Sequence, residues 1–200
     1  MRNTDFAVGE HYHIFNRGVD KRDIFSDRYD LERFFESMLA FNSVKPIGSI
    51  YENSRDKNKF GNSVPKSDKL VNFVCYCLNP NHYHFILEPL VENGVAKFMH
   101  KLGLGYTNYF NEKYKRTGSL FQGKYKAIHI DSNEYLLYLS AYINLNDKIH
   151  QLGNRVPKLI RSSWEEYSED GAGERADDLC EKGLNGKNGR MKFTFHPLFS

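Results

Sequence analysis

Two histidines separated by one residue, His82 and His84, combine a residue type and a spacing that could do chemistry. They begin a β-rich run that ends at Leu87, and in a strand the side chains of residues i and i+2 point to the same face. Two imidazoles on one face can bind a divalent metal ion, although further ligands must come from elsewhere in the chain. The alternative is a pair of surface histidines on a half-exposed strand.

A second pair, His11 and His13, has the same spacing on the first predicted strand. If the first and third strands are neighbours in a sheet, all four histidines lie near one another. Spacing alone does not choose between the two pairs. His11 stands at the very start of its strand, which slightly favours His82 and His84.

The last predicted helix supplies a possible nucleophile. Tyr138, Tyr142 and Asn146 are spaced i, i+4 and i+8, so they share one helical face. A phenol can attack as its phenolate, but with a reference pKa of about 10 it needs a base, a metal or a basic neighbour. An asparagine oxygen one turn away could be a third metal ligand. The alternative is that these tyrosines simply pack against a sheet.

Cations and aromatic rings alternate around small turn residues between residues 106 and 126. This pattern suits a single nucleic-acid strand, because cations follow phosphates and rings stack on bases. The alternative is a solvated basic turn. The residues concerned include Tyr109, Lys113, Lys115, Arg116, Phe121, Gln122, Lys124 and Lys126.

Composition limits the class of protein. The chain has 200 residues, of which 40% are hydrophobic and 26% charged, so it can form one domain with a sizeable core and is not wholly disordered. No segment approaches the roughly 18 apolar residues of a membrane helix, and no signal peptide is visible. A net charge of +3 is too small to indicate a nucleic-acid partner alone. Three cysteines argue against a disulfide framework and favour a reducing cytoplasm, and Cys75 and Cys77 are interpreted as small core residues.

The elements that must position these residues follow a recognisable order. Hydrophobic periodicity and turn residues predict strand, helix, strand, strand, helix, strand and helix, with a hairpin turn at Asn79-Pro80-Asn81. A βαββαβ order indicates a ferredoxin-like α+β fold, an antiparallel sheet with helices on one face, here followed by one further helix. We expect one domain over residues 1–167 with a long loop insertion at 43–69, and a flexible tail over 168–200.

Taken together, the motifs resemble a known family. Pro80-Asn81-His82-Tyr83-His84 resembles the HUH motif (His, hydrophobic, His) of single-tyrosine transposases that act on single-stranded DNA. The segments 12–18, 118–126, 142–146 and 162–167 are similar to the opening strand, the segment before the fourth strand, the catalytic helix and a downstream patch of their REP-associated relatives. The sequence departs from the family at Asn79, where methionine is usual, and at Asp147, where proline is usual.

The resemblance implies a fold of ferredoxin type and a specific chemistry. Tyr142 would attack a phosphate of single-stranded DNA, leaving a 5′-phosphotyrosine, and His82, His84 and Asn146 would hold Mg²⁺ or Mn²⁺. DNA would be contacted by Arg17, Tyr109, Lys113, Lys115, Arg116, Phe121, Gln122, Lys124 and Lys126. The implied partner is a DNA hairpin, bound by a monomer or homodimer in the bacterial cytoplasm at the nucleoid, with no membrane involved.

Two other functions remain open at this point. A non-catalytic module for single-stranded DNA or RNA on the same fold would bind without cleaving. A metal-dependent phosphodiesterase without a covalent intermediate would not need Tyr142. A two-histidine phosphoesterase is disfavoured, because the sequence lacks paired His-x-Ser/Thr motifs.

Overall fold

The strands and helices of the chain follow the predicted order. The computed structural model describes residues 5–47, 50, 69–145 and 159–164. Within these ranges the strands are β1 (His11–Arg17), β2 (Val71–Asn79), β3 (His82–Pro89), β4 (Lys126–Ile130) and β5 (Arg161–Ser162). The helices are α1 (Arg28–Phe41), α2 (Gly94–Lys113) and α3 (Asn133–Asn144), and a 3-10 turn, Val19–Lys21, follows β1.

The described strands form one antiparallel sheet in the order β4-β1-β3-β2-β5. The first four positions of this order are those of a ferredoxin-like βαββαβ core, so the predicted fold class is confirmed. β1 and β3 are neighbours, as the sequence analysis required for the two histidine pairs to meet. The short strand β5 extends the sheet beyond β2.

Each face of the sheet is covered by different helices. Tyr12, Ile14, Tyr83, Phe85 and Leu87 point towards α1 and α2 and belong to the larger apolar core. The opposite face packs against α3. Its apolar cluster consists of Val74, Cys75, Cys77, Ile86 and Ile130 of the sheet and Leu136, Leu139 and Ile143 of α3. Cys75 and Cys77 are fully buried, which confirms their interpretation as core residues.

Helices α1 and α2 approach each other closely at a glycine. A Cβ atom built on Gly105 would overlap the ring of Phe41, so any larger residue would force that ring to move. This close approach explains a glycine inside a helix, where its conformational freedom is otherwise unfavourable.

Side chains define the starts of two helices. Asp27 and Asp30 form a capping box at α1, and Ser132 accepts a hydrogen bond from the backbone of Tyr135 at α3.

A buried carboxylate ties the end of α2 to the start of α1. Asp30 is fully buried, and Nζ of Lys113 lies 2.7 Å from its Oδ1. Tyr114 and Tyr109 donate hydrogen bonds to the same carboxylate at 2.7 and 3.1 Å. Burial alone would lower the pKa of Lys113, but hydrogen bonds to Asp27 and Asp30 outweigh it and raise the pKa far above its usual range. The ammonium group is therefore held by two carboxylates at the start of α1, although Lys113 itself is an exposed residue.

Replacing Lys113 by methionine should reduce the free energy of unfolding by about 3 kcal/mol, because it leaves the buried Asp30 carboxylate without its cation. Urea denaturation at neutral pH would measure the loss. Burial raises the pKa of Asp27, but hydrogen bonds, first among them that from Lys113, lower it overall. The stability from this depressed pKa is present at neutral pH and lost in acid. The difference between wild type and variant should therefore shrink at low pH. Lys97→Met, at an exposed position of the same helix, is the control and should change little.

The predicted insertion at 43–69 is anchored where its two ends meet the core. Oδ1 of Asn42 accepts from the backbone N–H groups of Leu70 and Val71, and Nδ2 donates to the Val71 carbonyl. Within the predicted loop, Ile50 is buried with 4% exposure. Residues 48–49 and 51–68, and the whole of the predicted tail 168–200, lie outside the described residues. The domain boundaries thus stay a prediction.

No helix in the described part of the chain is long and apolar enough to cross a membrane.

Candidate functional site

His82 and His84 stand side by side at the start of β3, on the face of the sheet that α3 covers. Both are half-buried, and their ring centroids are 5.2 Å apart. Across the ladders, His82 lies opposite Arg17 and Asn79, and His84 lies opposite Phe15 and Cys77. Cross-strand partners share a face of the sheet. The alternation predicted from the sequence thus places the two imidazoles on one face.

His84 is held by a histidine of the other pair. Nε2 of His13 lies 2.9 Å from Nδ1 of His84, and His13 is only 7% exposed. Burial lowers the pKa of His13 to about 4, so this ring is uncharged at neutral pH and able to accept a hydrogen bond. When His84 donates from Nδ1, its Nε2 keeps a lone pair for a metal. His13 therefore belongs to the site as a neighbour of His84.

His82 is held at both ring nitrogens by asparagines. Nδ1 lies 2.6 Å from Oδ1 of Asn81, and Nε2 lies 3.0 Å from Nδ2 of Asn79. An amide oxygen only accepts and an amide nitrogen only donates. Both contacts consequently specify the same neutral tautomer, with the proton on Nδ1 and the lone pair on Nε2.

The end of α3 that carries Tyr142 is fastened beside His84. Ser163 donates a 2.6 Å hydrogen bond to Oδ1 of Asn144, and its Oγ accepts from the backbone N–H of Tyr76 on β2. The next residue of β2, Cys77, is the cross-strand partner of His84. Tyr142 packs on the apolar cluster of this face, whereas Tyr138 is 59% exposed. Packing thus separates two tyrosines that helical spacing leaves equivalent.

The hydrogen bond between Asn144 and Ser163 is a part of the site that residue patterns do not reveal. In the sequence, Asn144 is one more amide near the tyrosines, and Ser163 is one residue of a downstream patch. A serine that binds an asparagine 19 positions away leaves no periodic signal. The similarity of segment 162–167 to the related family is the one sequence feature that points to it.

Asn146, the predicted third ligand, lies outside the described residues. α3 ends at Asn144, with Leu145 as its C-terminal cap. The expectation that Asn146 lies one helical turn beyond Tyr142 stays a prediction. Among the described residues, no group of three or more histidine, cysteine, aspartate or glutamate side chains could hold a metal. His82 and His84 are thus a two-nitrogen site, and Asn146 stays a predicted third ligand.

Two exposed cations border the histidines on the same face. Nε of Arg17 donates to Oε1 of Gln122, which fixes the guanidinium beside His82. Nζ of Lys126 lies 5.9 Å from the ring centroid of Phe15, and that ring stacks on His84. The backbone N–H of Gln122 also donates to the Arg17 carbonyl at 2.8 Å. The predicted basic turn is therefore hydrogen-bonded through Gln122 to Arg17 on β1, the strand next to the histidines.

The other predicted DNA-binding residues divide between surface and interior. Lys115 and Lys124 are exposed, and Arg116 is half-buried with its guanidinium bonded to Asn111. Phe121 is only 7% exposed and packs edge-on against Tyr83, so its ring is not available to stack on a base. Tyr109 and Lys113 are bonded to Asp30. Tertiary contacts thus engage three side chains that the pattern of cations and rings predicts to contact DNA.

Comparisons with known proteins agree with this arrangement. Residues 58–146 match the family model described as IS200-like transposase, a stretch that includes both histidines of β3 and all of α3. A solved structure of a REP-associated tyrosine transposase bound to a REP hairpin superposes with a TM-score of 0.56 at 12% identity, covering 97% of this chain and 99% of that one. At this identity the likeness shows the fold. No curated protein sequence matches the chain.

The family model and the fold converge on the elements that carry the site. The matched stretch contains the hairpin of β2 and β3 with its two histidines, the helix α2, the basic turn and the tyrosine helix α3. The solved REP-associated tyrosine transposase has a similar fold. The resemblance inferred from the motifs is therefore confirmed: residues 58–146 match the IS200-like transposase family, and they are set in the fold of a REP-associated tyrosine transposase.

Proposed function

We propose that the protein is a metal-dependent endonuclease and transposase that nicks and rejoins single-stranded DNA through a 5′-phosphotyrosine at Tyr142. The observation that carries the proposal is the juxtaposition on one face of the sheet. There, His82 and His84 lie on the strand paired with β2, and β2 is hydrogen-bonded through Ser163 to the end of α3 that carries Tyr142. The family match supports a DNA-processing enzyme of the transposase class.

The residues of the site fit a divalent ion of the Mg²⁺ or Mn²⁺ kind. Nε2 of His82 is in the unprotonated tautomer, and the bond between His13 and Nδ1 of His84 is compatible with the same state. His82 and His84 would supply two ligands, and Asn146 is proposed as a third. Bound there, the ion would act as a Lewis acid on the scissile phosphate.

Tyr142 performs the covalent step in this proposal. Its phenolic oxygen loses its proton to water and forms a bond to phosphorus, while the bond from phosphorus to the 3′ oxygen breaks. The departing 3′ oxygen takes up a proton and becomes a free hydroxyl. Attack by a second 3′-hydroxyl reverses the exchange and joins new ends. The phosphodiester bond is conserved as an ester throughout, so no nucleotide cofactor is required.

The proposed DNA-binding surface consists of Arg17, Gln122, Lys124 and Lys126, with Lys115 and Arg116 at its border. Arg17 and Lys126 lie on the histidine face and can contact phosphates on either side of the scissile one. Tyr109 and Lys113 are left out because they are bonded to the buried Asp30, and Phe121 is left out because it is buried. The solved relative is bound to a REP hairpin, which makes a DNA hairpin the first substrate to test.

The decisive test is a covalent adduct. The protein is incubated with a labelled single-stranded hairpin and Mn²⁺, and denaturing electrophoresis reveals DNA that has become attached to protein. Protein attached to the 5′ phosphate at the nick, with a free 3′-hydroxyl on the other fragment, supports the proposal. Binding without an adduct would assign a non-catalytic function, and a nick with an unblocked 5′ end would assign a phosphodiesterase without a covalent intermediate.

The proposed surface predicts a salt dependence of DNA affinity. Changing Arg17, Lys124 and Lys126 to alanine should flatten the log–log slope of affinity against salt by roughly 0.7 for each phosphate that the variant no longer neutralises. Fluorescence anisotropy with a labelled hairpin, without metal, would measure the slope. Lys97→Ala is the matched control, because Lys97 is exposed near the start of α2, at the opposite end of the sheet. An unchanged slope in the triple variant would place the DNA elsewhere.

A further inference from the structure

Asn79 is the only fully buried asparagine among the described residues, and it lies at the end of β2 directly opposite His82. Its Nδ2 lies 3.0 Å from Nε2 of His82. The Cys77 thiol is 3.7 Å from its Oδ1, which gives the amide a fixed orientation. Asn79 therefore directs an N–H donor at the nitrogen that a metal would use.

We infer that Asn79 is a latch on the metal site: its side-chain amide occupies the lone pair of His82 Nε2 and must be displaced before a metal can bind there. The inference rests on the proposed function, because it takes His82 to be a metal ligand. One lone pair cannot accept a hydrogen bond and coordinate a cation at the same time. Metal binding and the hydrogen bond from Asn79 are consequently mutually exclusive.

The position of Asn81 makes the latch specific to Nε2. Asn81 holds Nδ1 of His82 at 2.6 Å and accepts its proton, so the tautomer does not depend on Asn79. Removing the Asn79 amide would leave the ring oriented and Nε2 unprotonated. His84 differs, because its contact with His13 engages Nδ1 and not Nε2, the nitrogen that is proposed as the ligand. The two histidines of the motif are thus held in different ways.

The latch predicts a gain of metal affinity on substitution. Asn79→Leu keeps the approximate size and shape of the side chain and removes the donor. Its affinity for Mn²⁺ alone, measured by calorimetry on the full chain without DNA, should rise about two- to tenfold, the equivalent of one net hydrogen bond. Asn72→Leu is the matched control. It makes the same substitution on β2, but the Asn72 amide donates to Glu88 and not to His82. The control should bind Mn²⁺ as the wild type does.

A second measurement keeps the inference testable if Asn79→Leu does not fold. In the wild-type protein, Mg²⁺ should shift the side-chain amide resonances of Asn79 in a nitrogen–proton NMR spectrum, together with the ring resonances of His82. A response of His82 without one from Asn79 would overturn the latch. An unchanged or weaker affinity in Asn79→Leu would do the same, and a weaker one would make the amide a ligand.

The outcomes separate the latch from the proposed function. If wild-type protein binds Mn²⁺ and the double change His82→Ala and His84→Ala abolishes binding, the metal site stands whatever Asn79→Leu does. If the double variant binds as the wild type does, the metal site and the latch both fall. If only the expected gain in Asn79→Leu is absent, the latch alone is wrong.

Discussion

Replacing Tyr142 by phenylalanine is expected to eliminate the covalent protein–DNA adduct while leaving folding and hairpin binding unchanged. The substitution keeps the ring that packs on the apolar cluster beneath α3 and removes only the hydroxyl. No other atom of the side chain can form the phosphotyrosine ester. The adduct should therefore fall below detection, measured by denaturing electrophoresis with a labelled hairpin in Mn²⁺.

Tyr138→Phe is the matched control for this experiment. Tyr138 lies on the same helix one turn earlier, but it is 59% exposed, and the fastened end of α3 is the end that carries Tyr142. The control should form the adduct nearly as well as the wild type. An adduct that persists in Tyr142→Phe, or disappears in Tyr138→Phe alone, would assign the nucleophile to another tyrosine.

Alanine at both His82 and His84 is expected to abolish Mn²⁺ binding measured by calorimetry. The double change removes both imidazole ligands, and no group of three acidic, cysteine or histidine side chains in the described residues offers a replacement site. The decrease in Mn²⁺ affinity should be larger in this double variant than in any variant with one substitution at the site. DNA affinity without metal should be reduced much less, because Arg17 and Lys126 remain.

His11→Ala is the suitable control for the metal experiment. His11 lies opposite Ile130 at the start of β1, several residues along the ladder from His84. His13 is not a neutral control, since it contacts Nδ1 of His84 directly. We expect His11→Ala to bind Mn²⁺ as the wild type does. Retained binding in the double variant, with no binding in His11→Ala, would exchange the roles of the two pairs.

Local patterns in the chain are sufficient for the architecture. Alternation of polar and apolar residues marks β1 and β3, and the proline and asparagines of the turn mark the hairpin between β2 and β3. Successive side chains of a strand point to opposite faces of the sheet, so residues two apart point to the same face. This alternation places His82 and His84 on one face. These features depend on residues close in sequence, and the structure agrees with them.

Contacts between distant residues decide which side chains remain available for chemistry. Lys113 has the residue type of a phosphate ligand, but the buried Asp30 carboxylate, 83 positions earlier, binds it internally. His13 is far from His82 and His84 in the sequence, yet the pairing of β1 with β3 brings it to His84. Ser163 donates a hydrogen bond to Asn144, 19 positions earlier, and so holds the end of α3 that carries Tyr142.

Residue types and short spacings determined the fold class, the paired histidines and the candidate tyrosines, because each depends on the geometry of a single strand or helix. The partner of each polar side chain was decided only by the tertiary structure. A buried amide or carboxylate must find its hydrogen bonds wherever the packed chain offers them. Asn79 illustrates the difference: its type indicates a turn, but only the pairing of β2 with β3 directs its amide at His82.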